Sequence, residues 1–137
     1  YSRMLKKAEQ LISKKEVIFI RGDNQILVNV LQRIASVIIQ KSIREGFCLS
    51  VTEAMWKARP IVASNIGGIP LQIEDGKNGF LIEPQDKKAF ANRIIQILKQ
   101  PELARRLGEE AREKVRKKFL ITRHLLDYLD LLNDIIK

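Results

Sequence analysis

At 137 residues, with 45% hydrophobic and 30% charged residues, the chain has the size and composition of one globular domain with its own core, spanning 1–137. One cysteine excludes a disulfide framework or a cysteine-built metal site, and no apolar run approaches the roughly 18 residues of a membrane span. A net charge of +9 is the one unusual bulk property.

In chain order, Met4, Leu5, Ala8, Leu11 and Ile12 recur at helical spacing and predict a helix over residues 3–13. The run Val17-Ile18-Phe19-Ile20 reads as a buried strand ending at Arg21-Gly22-Asp23-Asn24. Leu27, Val28, Leu31 and Ile34 place a helix over 25–35, and Ser36-Val37-Ile38-Ile39-Gln40 is a second strand. After a loop over 41–49 the pattern predicts a helix over 50–58, a strand over 60–64 and a turn at Gly67-Gly68. A short helical turn and the turn sequence Asp75-Gly76-Lys77-Asn78-Gly79 precede a fourth strand at 80–83. Helices follow over 86–99, 101–118 and 122–136. Strands alternating with helices predict an α/β fold, a Rossmann-like parallel sheet of about four strands with flanking helices.

Much of the positive charge lies in the last helices, at Arg105, Arg106, Arg112, Lys114, Arg116, Lys117, Lys118 and Arg123. There it alternates with Glu109, Glu110 and Glu113, and no aromatics are interleaved. A solvated helix face explains this better than a nucleic-acid patch, and a basic contribution to a cleft for anionic ligands is compatible with it. The first residues carry no apolar leader core or cleavage site, and Tyr1 is no translation start. The expectation is a processed, truncated or excised piece of a cytoplasmic protein. Richness in Ile, Lys and Glu leans towards a thermophilic source.

The chemistry concentrates in Arg44-Glu45-Gly46-Phe47-Cys48-Leu49-Ser50-Val51-Thr52-Glu53, a strand-to-helix junction with seven residues between its two carboxylates. In open α/β sheets ligands bind beyond the carboxyl ends of strands. A helix starting there directs free N–H groups and a positive dipole end outward, which suits phosphate. Glu45 and Glu53 would not help phosphate but suit the hydroxyls of a ribose or a sugar, so the junction reads as a nucleotide-sugar site. Competing readings stand beside each residue. Ser50 and Glu53 fit a capping box, with Ser50 as N-cap and Glu53 reaching back to a backbone N–H. Glu45 could be an exposed carboxylate paired with Arg44. Gly67-Gly68 is read as a simple turn, Trp56 as core, and His124 as an ordinary surface or helix-packing residue with no metal cluster around it. Cys48 has no histidine near it in sequence and is not expected to be a nucleophile.

The motif EGFCLSVTE, followed by AMWKARPIVAS and GGIPLQIEDGKNGFLIEP, resembles the C-terminal domain of family-4 retaining glycosyltransferases of the GT-B fold. SIREGF, TEAMWK and KKFLITRH are most similar to the trehalose synthase branch. The resemblance covers nearly the whole chain. It implies that Glu45 positions the donor sugar and that Glu53 binds the ribose. It also implies that Gly46, Phe47, Cys48 and Leu49 offer the diphosphate backbone N–H groups. The family pattern commonly has glycine where Cys48 stands, and many relatives carry glutamate where Leu71 stands, so no role is carried to Leu71. The implied substrate is a nucleotide sugar such as UDP-glucose or ADP-glucose, with no resident cofactor and no metal. The implied reaction moves glucose to an acceptor glucose, with electrostatic support of the departing diphosphate in place of a protein nucleophile. In that family the acceptor site comes largely from an N-terminal domain, and the phosphate-clamping Arg and Lys come from an early loop of the C-terminal domain. Both are expected to lie outside this chain, so it is expected to be inactive alone. An alternative is a non-catalytic remnant that serves as a folded, partner-binding module. Leu125, Leu126, Leu129, Leu132, Ile135 and Ile136 form an apolar stripe on the last helix, which predicts self-association through Thr122 to Ile136.

Overall fold

The computed structural model describes residues 2–136, in which three strands and seven helices form. They run α1 (Ser2–Ser13), α2 (Gln25–Ile34), β1 (Ile38–Gln40), α3 (Leu49–Trp56), β2 (Ile61–Ser64), α4 (Ile69–Gln72), β3 (Phe80–Ile82), α5 (Lys87–Lys99), α6 (Pro101–Lys118) and α7 (Ile121–Ile136). The strands pair in parallel in the order β1-β2-β3. Ile38 lies beside Ile61, and Val62 beside Phe80. Every residue of the central β2 is buried, as befits a strand covered on both faces.

The period of two in β2 divides the core. Ile61 and Ala63 join Val51, Ala54 and Met55 of α3, Ile69 of α4, and Ala111 and Val115 of α6 on one face. Val62 joins Phe80, Ile82, Phe90, Ile97 and Leu107 on the other, beneath α5 and the start of α6. Asn24 and Asp86 cap α2 and α5, accepting from the N–H groups of Leu27 (3.0 Å) and Ala89 (2.8 Å). Three of the basic residues of α6 pair with its own carboxylates, Arg105 with Glu102 and Glu109, and Arg116 and Lys117 with Glu113. Lys114 instead reaches Glu74 at 2.9 Å, and its hydrogen bond is the main cause holding that carboxyl down at about 2.

Two expectations are corrected here. No strand forms over residues 17–20, so the described sheet has three strands and not four. β-branched sequence makes a strand only against a partner edge, and Ile18 and Ile20 lie exposed in a segment that pairs with no strand of the described sheet. Trp56 is 41% exposed and not core, with the Arg112 guanidinium 5.3 Å from its ring centroid.

α3 ends in a Schellman-type turn, in which Ala58 N–H reaches the Met55 carbonyl (2.9 Å) and Arg59 N–H the Ala54 carbonyl (3.2 Å). Ala58 takes the left-handed φ of 54° usually left to glycine. Its carbonyl then meets α6 at Gly108, where an added Cβ would lie 2.1 Å from that oxygen. Gly108→Ala would gain about 1 kcal/mol of helix propensity. Overpacking against a main-chain atom costs about 1–3 kcal/mol, and a contact this short belongs at the upper end. Urea denaturation is expected to show Gly108→Ala less stable by about 2 kcal/mol.

Candidate functional site

β1 ends at Gln40, and its polar side chain begins the site. Gln40 Nε2 donates to Ser42 Oγ (2.8 Å), and Ser42 Oγ donates to Glu45 Oε2 (3.1 Å). Gln40 Nε2 also approaches Glu45 Oε2 at 3.4 Å, and Gly46 N–H donates to Glu45 Oε1 at 3.2 Å. The half-buried Glu45 carboxylate is thus oriented by its own loop, and no ion pair with Arg44 holds it.

The next residues are held by main-chain packing. Gly68 N–H donates to the Gly46 carbonyl at 2.7 Å. An added Cβ on Gly67, whose φ is +57°, would lie 2.0 Å from the Glu45 carbonyl oxygen, and one on Gly68 would lie 2.8 Å from that of Gly46. The double glycine therefore seats the β2–α4 connection directly on the Glu45–Phe47 backbone, a closer role than the simple turn expected. Gln72, fully buried, donates through Nε2 to the Phe47 carbonyl and accepts from Thr52 Oγ1 at 2.7 Å. The Phe47 ring meets Phe119 edge-on, with centroids 5.6 Å apart.

Cys48 then turns the chain into α3 with φ 70° and ψ 73°, a left-handed conformation that costs a non-glycine residue about 1–2 kcal/mol. This accounts physically for glycine being the commoner residue at such a position. Cys48 Sγ lies 3.3 Å from Ser50 Oγ, and burial pushes the thiol pKa up, so the group stays a protonated packing residue.

α3 starts at Leu49 with Cys48 at its N-cap, so the expected capping box of Ser50 and Glu53 does not form. Ser50 Oγ is spent on Gln40 Oε1 at 3.2 Å, and Glu53 sits a full turn into the helix. Two consequences favour a ligand site. Among the described residues, the N–H groups of Phe47, Cys48 and Leu49 have no partner in the chain. Glu53 is exposed and faces α2, accepting from Gln32 Nε2 at 3.3 Å, while Lys57 Nζ donates to Gln32 Oε1. Glu53, Gln32 and Lys57 line a cavity of about 420 Å³ together with Gly22, Gln25 and Asn29.

The structure thus places Glu45, Gly46, Phe47, Cys48, Leu49 and Glu53 on one continuous loop-and-helix unit. Reading by sequence missed Gln40, Ser42, Gln32 and Gln72. The available signals were a polar residue closing a buried strand and a lone amide in the otherwise apolar turn Ile69-Pro70-Leu71-Gln72-Ile73. Among the described residues no cluster of three or more metal-ligating side chains forms, and no helix is long and apolar enough to cross a membrane.

A parallel α/β domain with a helix start and two carboxylates beyond its strand ends has the layout in which open α/β sheets bind ligands. The chain matches the Glycosyl transferases group 1 family over residues 1–114, and it belongs to that family. It is 48% identical over 108 residues to the trehalose synthase of Pyrococcus horikoshii, covering 79% of this chain but only 26% of that protein. Sucrose-phosphate synthase from Thermosynechococcus elongatus superposes with a TM-score of 0.85 at 30% identity, over 98% of this chain and 34% of that one. A mutant of Staphylococcus aureus TarM, in a complex containing UDP, superposes with a TM-score of 0.79 at 30% identity, over 96% of this chain and 26% of that one. The fold is that of GT-B glycosyltransferase C-terminal domains.

The seat of the loop on Gly67 yields a sharp contrast. Gly67→Ala adds both a left-handed alanine and a clash with the Glu45 carbonyl, and should lower stability by about 3 kcal/mol. Leu71→Ala, four residues on and exposed, should change it by less than about 0.5 kcal/mol in the same chemical denaturation experiment.

Proposed function

We propose that this chain is the donor-binding part of a retaining glycosyltransferase of the trehalose synthase type, taking a nucleoside diphosphate sugar such as UDP-glucose or ADP-glucose. The observation that carries the reading is the Glu45–Glu53 unit. Unpartnered N–H groups at a helix start suit a diphosphate, and flanking carboxylates suit hydroxyls on either side of it. The cavity beside Glu53 has the volume and polar lining for a nucleoside, with Gln25, Asn29 and Gln32 as hydrogen-bonding groups. The UDP in the TarM complex and the trehalose synthase relatives support the same assignment.

In this reading Glu53 accepts from the ribose hydroxyls, Glu45 accepts from the donor sugar, and Phe47, Cys48 and Leu49 take up charge on the departing diphosphate. Glucose leaves that diphosphate for a hydroxyl of an acceptor glucose. The chain spans about a quarter of the trehalose synthase it matches, and in this reading the acceptor site is supplied from outside it. The chain binds donor but does not transfer sugar alone.

Calorimetric titration with UDP-glucose, ADP-glucose, UDP and ADP is expected to show binding. A lost hydrogen bond to a charged group costs about 1.5–3 kcal/mol, so Glu53→Ala should weaken nucleotide binding about 10- to 100-fold. Glu45→Ala should weaken the nucleotide sugar more than the free nucleotide. No binding to the folded chain would leave the non-catalytic module as the better reading. Trehalose made from UDP-glucose and glucose by this chain would refute inactivity in isolation.

The exposed stripe on α7 supports a second copy as its partner. Leu125, Leu126, Leu129 and Leu132 are all about half exposed. Asp127 is already bridged to Arg123 along the helix, which leaves the apolar stripe as the surface to be covered. Sedimentation should show a concentration-dependent dimer that Leu129→Glu dissociates. A monomeric mass at high concentration would count against it.

A further inference from the structure

Two consecutive carbonyls of the phosphate loop are held from one side. The Gly46 oxygen accepts from Gly68 N–H at 2.7 Å, and the Phe47 oxygen accepts from the Gln72 side-chain amide. In a trans peptide the C=O and the following N–H point in opposite directions. Fixing the Gly46 carbonyl therefore aims the Phe47 N–H away from the β2–α4 connection, and fixing the Phe47 carbonyl aims the Cys48 N–H likewise. Gln72 does a second thing with its other atom, since Oε1 accepts from Thr52, the residue before Glu53. One buried amide thus ties the loop to the first turns of α3.

Packing alone does not require an amide here. A leucine or methionine would fill the same apolar turn, at the cost of leaving the Phe47 carbonyl and the Thr52 hydroxyl without this partner. The backbone of Gln72 is anchored independently, its carbonyl accepting from Asn78 Nδ2 at 3.1 Å while Asn78 Oδ1 accepts from Glu74 N–H at 2.6 Å.

We propose that Gln72 is a positioning residue for the donor, setting the direction of the Cys48 N–H towards the diphosphate and the spacing of that loop from the Glu53 turn. It touches no ligand and acts through the Phe47 peptide and Thr52. This rests on the donor-site reading above and adds to it a residue outside the Glu45–Glu53 motif.

The test compares affinity for UDP and ADP with affinity for uridine and adenosine, by ligand-observed NMR, in the wild type, Gln72→Leu, Gln72→Met and Thr52→Val. Leucine and methionine are close to glutamine in size, and each removes both bonds. The expected result is a loss of about tenfold in diphosphate affinity for both Gln72 variants, with nucleoside affinity unchanged. Thr52→Val, which frees the amide to rotate, should show a smaller loss of the same kind. Equal loss for nucleoside and diphosphate would reduce Gln72 to a structural residue and overturn the proposal, as would unchanged diphosphate affinity in any folded variant. If the Gln72 variants do not fold, the half-buried Thr52→Val decides by the same ratio. A wild type that binds neither class refutes the donor-site reading itself.

Discussion

The site depends on one contact between two stretches of main chain. The β2–α4 connection lies against the β1–α3 loop so closely that neither Gly67 nor Gly68 has room for a side chain. A backbone pressed onto a backbone leaves no rotamers to adjust, so the loop takes one path. That path delivers Cys48 to a left-handed turn, starts α3 at Leu49, and leaves a row of N–H groups facing outward. The carboxylates at either end are then placed by geometry the loop has already settled. The energy in any single bond here is small. What matters is that several constraints agree on one conformation.

The rest of the domain supports that contact from below. β2 is buried along its whole length and carries the connection at its carboxyl end, as parallel sheets commonly carry their ligand sites. One core cluster presses α3 and α6 on one face, and the other presses α5 on the opposite face. The large positive charge takes little part. Part of it sits in exposed ion pairs along α6, where solvent screens the attraction.

The pattern of strands and helices from residue 36 onward was legible because each segment carries its own period and its own caps. Asp86, Pro101 and the Asp75–Gly79 turn announce themselves locally. What failed did so where the answer lay in a distant partner. Val17–Ile20 has the composition of a strand but no edge to pair with among the described residues. Ser50 and Glu53 match a capping box, yet a left-handed Cys48 moved the helix start and spent Ser50 on Gln40. Gly67-Gly68 looks like any turn until the loop it sits on, some twenty residues earlier, is known. The motif residues of the site were readable through resemblance to a family. The amides that orient them, Gln40 and Gln72, show only as a polar residue closing a strand and a lone amide in an apolar turn, and an amide at the edge of a buried element is equally good as filler.

α3 has a left-handed non-glycine residue at each end, Cys48 before it and Ala58 after it, and no side chain caps its start. A helix of eight residues with such ends has no stability of its own in water. It exists because β2, α4 and α6 surround it, with Gly108 of α6 against its final turn. The face that carries the outward N–H groups and Glu53 therefore rests on packing supplied by its neighbours. A chain in which that packing loosened would keep much of its helix content and yet lose this face. Its integrity would in turn report on α6, a helix that contributes no residue to it.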